Sequence, residues 1–165
     1  MKHICLISII ISISSCTTRK KELLEDHESQ IIHYKNDSLK HGKQKIYYAD
    51  GGLQRKMRWK NNLLHGKMSY YHSNGKIAGY YYSKNDTLNG PFKFFYPNGK
   101  AKFTLIYKHN KPLEVINCYS PQKEILDCGT LKNGDGYVLQ YNDNGIFLSK
   151  DYYLHGNYIK SDTIL

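Results

Sequence analysis

From residue 40 onward, apolar and basic residues alternate in short runs. Apolar side chains take alternate positions at Leu53, Met57 and Trp59, at Ile77 and Tyr81, and at Ala101, Phe103, Leu105 and Tyr107, with Arg58 and Lys102 between them. Period two with basic residues interleaved predicts antiparallel strands with one face in water. Between the strands stand Asp50-Gly51, Asn74-Gly75, Asn98-Gly99 and Asn144-Gly145. Both residues of such a pair tolerate positive φ, so each predicts a hairpin closed by a type I′ turn. The polar stretches Lys60-Asn61-Asn62 and Lys84-Asn85-Asp86 read as return loops.

The strands recur. His41-Gly42, His65-Gly66 and Asn89-Gly90 follow one another at 24-residue intervals, and a further unit starts at Gly136 after a gap of 46 residues. In each unit an aromatic residue sits five positions after the Gly (Tyr47, Tyr71, Phe95, Tyr141), and Asp-Gly or Asn-Gly fills positions eight and nine. A fixed period of this length is the mark of a repeat architecture. With 16 Tyr, 5 Phe and 13 Gly, and few Leu, Ile or Val runs after residue 20, the chain reads as all-β and thin-layered. In such a layer each Tyr buries its ring and keeps its hydroxyl wet.

The pattern of Gly, aromatic pair, Asn-Gly-Lys, strand and polar loop resembles the MORN repeat variant, as found in bacterial proteins labelled YwqK-family antitoxins. The resemblance covers residues 34–112 well and 131–158 less well. It implies an elongated single antiparallel sheet built from hairpins laid side by side. It also carries the expectation of an antitoxin that neutralises a partner toxin by binding, which a toxic neighbouring reading frame would reveal.

The first residues differ from the rest. Lys2 precedes an apolar run from Ile4 to Ile13. That is the layout of a signal peptide, too short for the roughly 20 residues of a spanning helix. Ile13-Ser14-Ser15-Cys16 resembles the bacterial lipobox, which implies cleavage before Cys16 and acylation of its thiol. An ordinary signal peptide with an incidental Cys is the alternative. The expected organisation is a lipoprotein signal peptide over 1–15 and a lipidated tether over 16–36, partly helical around Lys20–His27. The repeat domain follows over 37–165, with units near 42–64, 66–88, 90–112 and 136–158 and a degenerate one at 113–133. The expected address is the cell envelope, on an outer membrane and facing the periplasm.

The charge balance is +10, with 24 Lys and Arg against 14 Asp and Glu. Export argues against nucleic acid, so the expected partners are the membrane, through the lipid, and a protein or an anionic envelope component. A purely structural envelope lipoprotein with no discrete ligand, its basic surface solvated and discouraging aggregation, is the competing account. Cys118 and Cys128 flank Ser120-Pro121-Gln122 in the degenerate unit, and after export the expectation is a disulfide that staples it, with two reduced thiols as the alternative. His41, His65 and His155 precede repeat glycines, where a turn-flanking role outweighs a metal site. No nucleophile elbow, oriented Cys–His pair or recurrent acid pair is present, and no cofactor or catalytic residue is expected. The ladder of Tyr47, Tyr71, Phe95 and Tyr141 reads as the core of a thin sheet, and the opposite, Lys-bearing face as the binding surface.

Overall fold

The computed structural model describes residues 17–23, 29–36 and 38–163. Its strands are β1 (Thr17–Leu23), β2 (Ser29–Lys35), β3 (Leu39–Tyr47), β4 (Leu53–Lys60), β5 (Leu63–Tyr71), β6 (Ile77–Lys84), β7 (Thr87–Leu88), β8 (Gly90–Phe95), β9 (Ala101–Lys108), β10 (Lys111–Ile116), β11 (Gly136–Tyr141), β12 (Phe147–Leu154) and β13 (Asn157–Thr163). Strands β1 to β10 form one antiparallel sheet in chain order, with β7 and β8 both paired to β6, and β11–β12–β13 form a second sheet. The chain is all-β and built of tandem hairpins. Among the described residues no helix is long and apolar enough to cross a membrane.

The sheet begins earlier than residue 37. Where the sequence suggested a tether with helical character, β1 and β2 pair through Arg19↔His33 and Lys21↔Ile31, and β2 continues onto β3 through Ile32↔Gln44. Ile32 is fully buried. The run Ser-Gln-Ile-Ile-His-Tyr-Lys supplies β-formers that occupy the otherwise open edge of β3, satisfying its unpaired backbone groups.

The two kinds of turn are exchanged relative to expectation. At the Asn-Gly ends the loop has three residues: Gly51 N–H donates to Tyr48 O at 2.9 Å and Tyr48 N–H donates to Gly52 O at 2.8 Å. Only the Gly is left-handed, with φ of 86° at Gly51, 79° at Gly75, 90° at Gly99 and 82° at Gly145. This is a type I turn followed by a left-handed residue. The residue before it works through its side chain, as Asp50 Oδ1 accepts from Gly52 N–H at 2.8 Å and Asn98 Oδ1 from Lys100 N–H at 2.9 Å. The tight two-residue turns with two positive φ values are the return loops, at Asn61-Asn62, Asn85-Asp86 and His109-Asn110.

A bulge follows each three-residue loop. Ile46 pairs with Arg55 but Tyr47 with Leu53; Tyr70 pairs with Gly79 but Tyr71 with Ile77; Phe94 pairs with Phe103 but Phe95 with Ala101. The extra residues of these bulges, Gln54, Ala78 and Lys102, reset the alternation, because one added residue sends all that precede it to the other face. The ladder Tyr47, Tyr71 and Phe95 therefore does not form the core. That role falls one residue earlier, to Ile46, Tyr70 and Phe94.

The inner face holds two clusters. Ile46, Met57 and Met68 pack with Trp59, Leu64, Tyr70 and Tyr81. Phe103, Leu105 and Val115 pack against Cys118, Leu131, Val138 and Tyr153, so the second sheet and the segment before it cover the β8–β10 end. Between the clusters runs a row of rings: Tyr70 to Phe92 at 5.9 Å, Phe92 to Phe94 at 4.1 Å and Phe94 to Phe103 at 4.4 Å. Offset-stacked pairs of this kind contribute about 0.5–1.5 kcal/mol each beyond their burial.

The degenerate unit keeps the repeat's backbone. Ser120 N–H donates to Glu124 O and Lys123 N–H to Ser120 O, as in the loops at Tyr48, His72 and Tyr96. Lys123 takes the position of Gly99 with φ of 82°, and Tyr119 bridges Ile125 as Phe95 pairs Ala101. Cys118 and Cys128 are joined by a disulfide across this hairpin, with Cα atoms 5.3 Å apart. Successive units are stitched at their loops: Tyr48 Oη donates to Tyr71 O, His72 Nε2 contacts Phe95 O, and Tyr96 Oη donates to Tyr119 O, at 2.7, 2.9 and 2.7 Å.

Candidate functional site

The outer face of β1–β5 gathers the charge. Lys43 lies directly across from Arg58, and Lys45 across from Lys56. Arg19 reaches this face from β1 and Lys67 from β5. Two adjoining shallow depressions result. One is lined by Arg19, Ile31, His33, Lys43, Lys45, Tyr47 and Lys56. The other is lined by Lys43, Lys56, Met57, Arg58, Gly66, Lys67, Ser69, Tyr71 and Ile77. Neither contains an acid. The ion pairs among the described residues lie elsewhere, at Lys102–Asp143 (3.7 Å), His155–Asp135 (3.4 Å) and Lys160–Asp162 (2.9 Å).

Like charges directly opposite each other on neighbouring strands destabilise a sheet, by about the 0.2–1 kcal/mol that an opposite pair contributes. Two such pairs side by side, with no carboxylate between them, leave a positive potential unneutralised. Rings accompany it. Tyr47 and Tyr71 line the depressions, Lys67 Nζ lies 3.9 Å from the centre of the Tyr80 ring, and Tyr80 stacks on Phe95 at 5.9 Å. Tyr82 is 56% exposed beside them. The ladder rings and the basic residues thus share one face, whereas the sequence pattern had set them on opposite ones.

Other sequence-derived positions have structural roles. His41 Nδ1 and His65 Nδ1 contact the side-chain oxygens of Asn61 and Asn85 at 3.2 and 3.1 Å, across the tight turns. His155 instead uses its backbone, its N–H donating to Asp135 Oδ1 at 2.6 Å as His109 N–H does to Asn89 Oδ1 at 2.7 Å. The bulge glycines Gly42, Gly66 and Gly90 and the first residue of β11, Gly136, all have positive φ. In the last hairpin Asn142 Oδ1, rather than Asn144, accepts the loop amides. Tyr141 donates to Asp127 O at 2.8 Å and stands apart from the ladder, whose fourth rung is Tyr119. Cys16 lies outside the described residues.

Burial sets the ionisation of the inner-face tyrosines. Desolvation, reinforced by Tyr70, holds the Tyr81 hydroxyl far above its ordinary range. Desolvation followed by Asp151 pushes Tyr153 up to about 12. Burial lowers Lys102, and Asp143 partly offsets this. Burial therefore keeps these inner-face hydroxyls protonated, while the outer face of β1–β5 carries the cationic cluster.

The cationic cluster Lys43, Lys45, Lys56, Arg58 and Lys67 was not singled out by the repeat pattern. Its signal was present in the alternation itself, as basic residues two apart on successive strands. The family model of the MORN repeat variant matches residues 40–61, 64–85 and 88–109. These three tandem repeats coincide with the hairpins that flank the tight turns, and the hairpins at Ser120 and Asn142 lie beyond them. No curated protein matches the chain. Repeats of this type are in general binding and interaction modules.

Proposed function

We propose that the chain is a non-catalytic interaction module, tethered to a membrane through Cys16, that captures an anionic partner on the outer face of β1–β5. The observation that carries this is the pair of opposed like charges, Lys43 with Arg58 and Lys45 with Lys56, unneutralised by any acid lining the depressions. A surface that only needed solubility would gain from interspersed carboxylates. One that attracts an anion gains from their absence, through a field that raises the encounter rate. The tether rests on the apolar run that ends at Ile13-Ser14-Ser15-Cys16. More than one acyl chain is what stable anchoring requires.

The test is a cross-linking pull-down from intact cells, comparing the wild type with Lys43→Glu/Arg58→Glu. The wild type retains an acidic protein or envelope component that the variant loses; equal recovery by both defeats the reading. Radioactive palmitate marks the wild type and not Cys16→Ala, and equal labelling removes the lipid anchor.

A further inference from the structure

We infer that the outer face takes a linear anionic polysaccharide, a uronate-type chain, laid across the strands rather than along them. This rests on the anion-capture reading and narrows it to one ligand class.

The first ground is the line the charges make. Arg19 on β1 is paired to His33 on β2, His33 Nδ1 contacts Lys43 O at 2.7 Å, and Lys43 faces Arg58 on β4. A Cβ at Gly66 would sit 3.6 Å from Arg58 Cδ, which puts the neighbouring Lys67 next in line on β5. Neighbouring strands lie about 4.8 Å apart, so basic groups recur at that interval over a row of roughly 19 Å perpendicular to the strands. A second row runs parallel to it through Lys45, Lys56, Ser69 and Tyr80. An extended uronate chain carries one carboxylate per ring and advances by a similar length per ring, so successive carboxylates meet successive strands.

The second ground is the rings. Tyr47 and Tyr71 line the depressions, and Tyr80 and Tyr82 stand where the basic rows end. A pyranose presents an apolar C–H face that packs on a tyrosine ring while its hydroxyls stay wet, which suits amphipathic side chains. A polyphosphate has no such face to offer.

The third ground is shape. Ser69, on the floor between Lys56 and Tyr80, is only 5% exposed, so the row dips into a shallow trough bordered by Lys43, Arg58 and Lys67 on one side and by Tyr71 and Ile77 on the other. A single chain reaches the floor of a trough. A flat bilayer meets only its rims.

Isothermal titration of the full chain with oligogalacturonates of increasing length tests this, alongside polyphosphate, single-stranded DNA, dextran and phosphatidylglycerol-containing vesicles. Affinity is expected to climb with length until the oligomer spans five strands and then to level off. Lys43→Gln/Arg58→Gln should weaken it about tenfold, equivalent to about 1.4 kcal/mol. Tyr82, 56% exposed and directly across from Lys67, offers a free ring face, so Tyr82→Ala should weaken galacturonate binding by about two- to tenfold, the worth of one ring contact, and leave polyphosphate binding unchanged. Tyr82→Phe keeps the ring and should bind as the wild type does. Length-independent affinity overturns the row. Polyphosphate, DNA or vesicles bound more tightly than the oligogalacturonate overturn the ligand class but leave anion capture standing, whereas no anion bound by a folded chain sinks both.

Discussion

Lys123 gives the most direct test of how this array is built. It occupies, with φ of 82°, the loop position that Gly51, Gly75 and Gly99 fill in the regular units. A left-handed conformation costs a side-chain-bearing residue about 1–2 kcal/mol. Replacing Lys123 by Gly removes that cost but adds unfolded-state freedom worth about 0.5–1 kcal/mol. The disulfide between Cys118 and Cys128 encloses this loop and already restricts the unfolded chain there. The net expectation for Lys123→Gly is a gain of about 0.5–1 kcal/mol. The converse change, Gly75→Lys, isolates the backbone contribution, because nothing lies within 4 Å of a Cβ built at Gly75. It should lose about 1 kcal/mol. Urea titration followed by far-ultraviolet circular dichroism reads both, and melting should move by about 2–4 °C per kcal/mol in a chain of this size. If Lys123→Gly is neutral or harmful while Gly75→Lys is harmless, loop conformation does not set the stability of these hairpins.

Other changes test the remaining features. Lys45→Glu places an acid opposite Lys56 and should raise stability by about 0.2–1 kcal/mol while weakening anion binding, measured by urea titration and by titration calorimetry on one preparation. Cys118→Ser/Cys128→Ser opens a short loop and should cost about 2–3 kcal/mol, read as a lowered urea midpoint; an unchanged midpoint would show that the bond adds nothing. Alkali should unfold the chain in a defined window. Tyr153 titrates at about 12 when folded against the ordinary 10.0, and burial also raises Tyr81, Tyr96 and Tyr107. The unfolded chain therefore releases protons that the folded one keeps, so this stability is whole below pH 10 and is lost as pH rises toward 12. Tyrosinate absorbance followed against unfolding checks this, and stability unchanged across that window would contradict the burial of these hydroxyls.

The period, the loop positions and the all-β class were legible because they are local: a Gly or Asn at a fixed offset states its own backbone requirement. What escaped depends on pairing. The face of Tyr47 follows from one extra residue in the bulge, Gln54, which period-two counting from Leu53 passes over. The tight turns at Asn61-Asn62 and Asn85-Asp86 lack Gly, so the Asn-Gly pairs drew the type I′ reading to the wrong ends. Tyr119 sits 24 residues after Phe95 and Pro121 24 after Pro97, a register hidden by Lys123 standing in for Gly. The strands β1 and β2 look like a polar linker until β3 offers them an edge. The cationic face became visible only when the strand register set Lys43 against Arg58.

The covering of β10 has a consequence for how such an array changes length. Val115 N–H donates to Leu131 O and Gly134 N–H to Leu113 O, so the outer edge of β10 is already occupied by the segment leading to the second sheet. That end works as a stop. Duplicating a 24-residue unit within residues 40–109 would push β1 outward and leave the stop untouched, because each hairpin bonds only to its neighbours. Each added copy of the 40–61 unit, which carries Lys43, Lys45, Lys56 and Arg58, would lengthen the basic trough by two strand widths. Gene duplication would then act on this surface as a ruler, one that sets the reach of the face in whole steps while its closed end stays fixed.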